Sequence, residues 1–80
     1  MKEDVLSLDQ IQDKARCLEI TDFKGPADLV ERLYEIGLRK GMQLQYFGRA
    51  PFIGPFLYRA GSTMYALRPE EAACTQVRVI

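Results

Sequence analysis

Residues 26–41, PADLVERLYEIGLRKG, decide how the rest of the chain is read. Leu29, Leu33 and Ile36 recur at helical spacing and share one face, with Val30 beside them, while Asp28, Glu31, Arg32 and Glu35 point away. Pro26 suits the first helical position, where a missing N–H has no partner to lose, and Asp28 puts a negative charge near the positive end of the helix dipole. Gly37 follows the last periodic apolar residue and closes the helix in a left-handed conformation, so Leu38 folds back onto the apolar face. Gly41 ends the connection and opens residues 42–47, MQLQYF, whose apolar and polar side chains alternate as in a strand. A helix this short is marginal in isolation, so its apolar stripe predicts a sheet beneath it.

Upstream, Ser7 and Gln10 have capping-box spacing and Leu6 with Ile11 brackets them as a hydrophobic staple, which predicts one or two helical turns within residues 1–15. Residues 16–23, RCLEITDF, place Leu18 and Ile20 on one face and Cys17, Glu19 and Thr21 on the other, the pattern of a half-buried strand. Downstream, Gly48 marks a bulge or bend, and residues 50–55, APFIGP, form a stiff loop. Residues 56–60 and 63–67 make a hairpin about Gly61 and Ser62, Pro69 begins a single helical turn within 68–73, and residues 74–80 alternate again. An open sheet of five short strands would leave two bare edges. The expected fold is therefore mainly β with one central α-helix, a small closed five-stranded barrel built by residues 16–80.

Eighty residues bound a single domain, 1–80, with one modest core. Eleven basic residues balance eleven acidic ones, which argues against a chain built to bind nucleic-acid phosphates or to coat an anionic membrane. The apolar runs are too short to cross a bilayer, and the first residues lack a basic segment followed by a hydrophobic one. The expectation is a cytoplasmic protein without direct membrane insertion. Cys17 and Cys74 are too few for a disulfide scaffold and are expected as two buried thiols, neighbours if the first and last strands pair.

The reactive chemistry is thin. No histidine offers a base near neutral pH, no serine stands in a nucleophile motif, and no phosphate-cradling glycine loop precedes a lysine. Glu70 and Glu71 are the nearest approach to a metal cluster, and adjacent turn residues diverge, so neither catalytic residue, metal site nor cofactor is expected. Arg39 and Arg49 flank turns and are suited to stabilise phosphoryl-transfer charge, although ordinary solvated arginines account for them too. The candidate partner-binding residues are Arg49, Pro51, Phe52, Ile53 and Pro55. Two large apolar side chains held between rigid corners can anchor a partner with little ordering cost. The plainer alternative, adopted as the expectation, folds Phe52 and Ile53 down as a cap on the barrel. Without tryptophan, a groove for proline-rich peptides is not expected.

The segments LVERLYEIGLRKGMQL, FGRAPFIGPFLYRAG and YALRPEEA, in that order and followed by an alternating strand, resemble the FeoA family over residues 16–80. Those are small cytoplasmic proteins with an SH3-like barrel that accompany the bacterial ferrous iron transporter FeoB. Leu33, Gly37, Leu38 and Gly41 match the helix-to-strand motif. Ala50, Pro51, Gly54 and Pro55 match the loop, and Ala66, Leu67, Arg68, Glu71 and Ala72 match the closing turn. Lys40 stands where the family often has proline, Phe52 and Ile53 add bulk to a loop that is frequently smaller, and the usual glycine before the first strand is missing. The resemblance implies a noncatalytic accessory protein, a monomer or weak homo-oligomer, that docks on the GTP-hydrolysing cytoplasmic domain of FeoB and modulates it. The alternative is a free-standing regulatory or metal-sensing domain like the C-terminal domain of metal-dependent repressors, although the chain has no space for their helix-turn-helix.

Overall fold

The computed structural model describes residues 6–52 and 54–80, and helix α1, Ala27–Glu35, lies where the spacing of Leu29 and Leu33 puts it. Leu33 is fully buried, with Leu29 and Val30 packed partly buried against the same core. Pro26 stands one place earlier than expected, as the cap residue with ψ 140°, so the helix begins at Ala27. At the other end the Gly37 N–H donates to the Tyr34 carbonyl and the Leu38 N–H to the Leu33 carbonyl, both at 3.1 Å. Those are the paired bonds of a Schellman stop, and Gly37 supplies the left-handed residue at φ +108°. The stop buries Leu38 completely. Ile36 departs from the expected stripe. It is the cap residue, beyond the last helical position, and stays 37% exposed because Leu38 takes the inward place.

Among the described residues six antiparallel strands form one sheet in the order β1-β6-β2-β3-β4-β5, one strand more than expected. They are β1 Leu6–Ser7, β2 Cys17–Phe23, β3 Gln43–Arg49, β4 Phe56–Ala60, β5 Thr63–Leu67 and β6 Thr75–Val79, with a short helix α2, Pro69–Ala73, before the last. The added strand sets Leu6 against Val77 and Ser7 against Gln76. Two residues carry no alternation to read. The helical signature after them gives a single 3₁₀ turn, Leu8–Gln10, with the Ser7 N–H donating to Gln10 Oε1 at 3.1 Å. Leu8 and Ile11 are both buried, which ties this segment into the core.

The Tyr58 hydroxyl of β4 donates to the Leu8 carbonyl at 3.3 Å, tying β4 to the 3₁₀ turn that follows β1, a strand far from it in the strand order, so the sheet curls round its core. Tyr46, Phe56 and Tyr58 fill its centre edge to face, with ring centroids 6.4, 5.9 and 6.5 Å apart. A register shift between Ile20 and Asp22 lets Leu18, Ile20 and Phe23 all point inward; strict alternation would have turned Asp22 into the core. The shift between Tyr46 and Gly48 is the bend read at that glycine.

Burial keeps the Tyr58 phenol protonated well above the ordinary tyrosine range. With the folded-state pKa raised, this contribution to stability is fully present below the unfolded value of about 10 and is lost as pH rises past it. Urea midpoints measured from about pH 8 to about pH 11 should fall along that limb. Tyr58→Phe should flatten the fall while removing roughly 1 kcal/mol with the lost hydrogen bond.

The first long strand and the last do pair, but antiparallel, which separates the cysteines. The Ile80 N–H donates to the Cys17 carbonyl at one end of the ladder and the Lys24 N–H to the Cys74 carbonyl at the other, both at 2.9 Å. Cys74 is buried and its thiol pKa is pushed up by that burial, whereas Cys17, on the outer face, is exposed rather than buried as expected. A disulfide-exchange reagent should therefore titrate one thiol per chain in buffer and two in denaturant. Rapid reaction of both in the native state would contradict this placement.

Candidate functional site

The loop from Arg49 to Phe56 is built from beneath. The Ala50 N–H donates to the Pro55 carbonyl at 3.0 Å and the Gly54 N–H to the Ala50 carbonyl at 3.3 Å, closing its base. Arg49 adds a bond from Nε to the Gly54 carbonyl at 3.0 Å and lays its guanidinium 4.7 Å from the centroid of the Phe56 ring. The closure needs a glycine, since a Cβ on residue 54 would lie 2.6 Å from the Cβ of Ala50. Pro55 is half-buried and Pro51 exposed.

Above this base Phe52 stands 98% exposed with φ +60°, a conformation that a bulky side chain adopts at a cost of about 1–2 kcal/mol. The expected cap on the barrel is thus not formed by Phe52. The centre of the core is filled instead by Phe56, Tyr46 and Tyr58. Ile53 lies outside the described residues.

Both candidate arginines are exposed, and each is held by carbonyls and a ring of its own chain. Arg39 donates to the carbonyls of Tyr34 at 2.8 Å and Leu38 at 2.7 Å and lies 5.2 Å from the centroid of the Tyr34 ring, so it braces the helix stop as Arg49 braces the loop. The motif positions divide by role. Leu33, Leu38 and Leu67 are fully buried, Gly41 takes φ +89° and donates its N–H to the Ile20 carbonyl at 2.8 Å, and Ala66 is exposed on β5. Arg68 caps α2 with its backbone N–H donating to Glu71 Oε1 at 2.9 Å, and Arg32 Nε meets Glu71 Oε2 at 2.8 Å. That buried carboxylate ties the two helices together, a role invisible in the sequence because its ion-pair partner comes from position 32. Among the described residues no three His, Cys, Asp or Glu side chains gather where they could hold a metal ion, and no helix is long and apolar enough to cross a membrane.

The outer face of β3 and β4 carries a second set of exposed side chains, Phe47 and Arg59 among them, that sequence reasoning did not single out. The alternation of residues 42–47 contained the signal for Phe47, which follows inward-facing Tyr46.

The FeoA domain model matches residues 6–79. The chain belongs to the FeoA family. That membership links it to ferrous iron transport. A solved FeoA, described as an iron uptake regulatory protein, is 21% identical to this FeoA chain and superposes with TM-score 0.79, covering 96% of this chain and 100% of its own. A FeoA-like protein from Clostridium acetobutylicum is 20% identical with TM-score 0.84, over 100% of this chain and 91% of its own. The manganese regulator SloR shares the fold at 11% identity and TM-score 0.78, over 92% of this chain but 34% of its own. At these identities the likeness establishes the fold, the SH3-like small barrel of FeoA. No curated protein matches the chain in sequence.

Proposed function

We propose that this FeoA domain is a noncatalytic accessory protein of the cytoplasm that docks on the GTP-hydrolysing cytoplasmic domain of a FeoB-type ferrous iron transporter and modulates it. The observation that carries the reading is Phe52, 98% exposed on a loop whose base is fixed by Arg49, Ala50, Gly54 and Pro55. A large ring presented on a pre-ordered loop loses little conformational freedom when it enters a pocket, and such anchors dominate interface energies. The partner supplies nucleotide and metal chemistry, and this chain supplies a surface, with no cofactor of its own, no nucleic acid and no insertion into the bilayer.

A titration of labelled protein with the intact transporter and with its isolated cytoplasmic domain, with and without a GTP analogue, tests the proposal. Saturable binding to at least one of them is expected, and binding to neither excludes docking. The barrel shared with a manganese regulator supports a second reading, a free-standing regulatory or metal-sensing domain. Calorimetry with ferrous iron separates the two, because tight stoichiometric uptake would favour sensing.

A further inference from the structure

Eleven acidic and eleven basic residues cancel in sum but not in place. Asp13 is paired with Arg16, Glu71 with Arg32, Asp22 with Lys40 and Glu19 with Arg78. Asp28, Glu31 and Glu35 have no such partner among the described residues, and all three are exposed on α1 at spacings of three and four, one stripe roughly 10 Å long. Glu70, on the neighbouring α2, is exposed and unpaired as well. Apart from Asp9 in the 3₁₀ turn, the negative charge without a counterion among the described residues therefore collects on the two helices.

Of the cations with no carboxylate partner among the described residues, Arg39 braces the end of α1 beside Tyr34, Arg49 braces the loop, and two share the outer face of the sheet. Lys14 and Arg59 line one cavity on the outer face of the sheet with Gln45, Tyr46 and Phe47, while Lys24 and Arg68 sit on connections. The strand register extends this face: Cys17 is opposite Gln45, Gln45 opposite Arg59 and Arg59 opposite Met64, one row across four strands. Phe47 is 51% exposed and Met64 44%, and the Arg59 guanidinium lies 5.9 Å from the centroid of the Phe47 ring. The Gln45 side-chain amide donates to the Lys14 carbonyl at 2.7 Å and holds that segment against the strand. This face fits a rod of carboxylates flanked by apolar groups. Helix α1 is such a rod, with Tyr34 and Ile36 exposed near its acidic stripe.

We infer that a second copy of this chain occupies the face, α1 of one copy lying across β3, β4 and β5 of the next, with Glu31 and Glu35 toward Lys14 and Arg59 and with Tyr34 and Ile36 toward Phe47 and Met64. The two surfaces differ, so the contact is head-to-tail and each copy keeps one of each free. Individually weak exposed ion pairs make the association weak and steeply dependent on salt. It does not depend on the docking role of loop 49–55.

Amide shifts of the isotopically labelled full chain, followed through a dilution series, test it. At about 20 mM salt, residues of α1 and residues 45, 47, 59 and 64 should shift together with one midpoint, and at about 500 mM salt that midpoint should move at least about tenfold. A Lys14→Glu/Arg59→Glu variant and a Glu31→Lys/Glu35→Lys variant should each stay monomeric alone, and an equimolar mixture should associate again. Such rescue cannot come from misfolding. The inference fails if the wild type shows no concentration dependence up to about 1 mM in low salt, if shifts are confined to one face or to loop 49–55, or if dispersed spectra of both variants accompany a mixture that stays monomeric. Should a variant not fold, the wild-type series at the two salt concentrations decides alone.

Discussion

Leu33→Ala is expected to destabilise the fold by about 2–5 kcal/mol, the range for removing a large apolar side chain from a packed core. Leu33 is the one fully buried side chain of α1, whose nine residues could not hold helical structure unaided. Its carbonyl also receives the Leu38 N–H of the helix stop, so slack around its side chain loosens the residue that closes the helix. In a domain of this size each kcal/mol shifts the melting temperature by about 4–8 °C, which places the variant roughly 8–40 °C below the wild type. The informative comparison is Ile36→Ala. Helical spacing alone gives Ile36 the same face as Leu33, yet its 37% exposure and cap position predict a loss below about 1 kcal/mol. Equal losses in thermal and urea unfolding would mean that the helix continues past Glu35.

Glu71→Ala should cost about 2–3 kcal/mol, and Arg32→Ala less than about 1 kcal/mol, although the two residues share one ion pair. The asymmetry follows from solvation. The Glu71 side chain is 6% exposed and accepts both the Arg32 Nε and the backbone N–H that opens α2, so truncation uncaps a helix and leaves a donor unsatisfied. The Arg32 side chain is 58% exposed, so water takes over its charge when the carboxylate goes, and the carboxylate keeps its backbone bond when the arginine goes. Urea unfolding of both single variants and of the double variant measures the coupling. Equal losses from the two single changes would overturn the view of Glu71 as a helix tie rather than one half of a surface ion pair.

What could be read from the chain follows from how local each signal is. The helix stop was legible because Gly37 and Leu38 act through bonds reaching back only three to five residues, and the β4–β5 hairpin because Gly61 and Ser62 fix it alone. Ile36 was misplaced because periodicity extends past the residue at which the helix ends. Strand β1 was missed because Leu6 and Ser7 become a strand only through Val77 and Gln76, seventy residues away. Cys17 was expected inside on the general habit of cysteines, although the alternation of its own strand put it on the outer face. The candidate loop was located by its prolines, but that Phe56, Tyr46 and Tyr58 fill the core while Phe52 stays exposed is packing that no local pattern encodes.

The most direct measurement is the affinity of the transporter's cytoplasmic domain for the wild type against Phe52→Ala, with thermal melts of both. A side chain 98% exposed contributes nothing to the core, so the melts should coincide or the variant should be slightly more stable. A central aromatic anchor contributes about 2 kcal/mol or more, so the dissociation constant should rise roughly thirtyfold or more. Undiminished affinity of the variant would contradict the account.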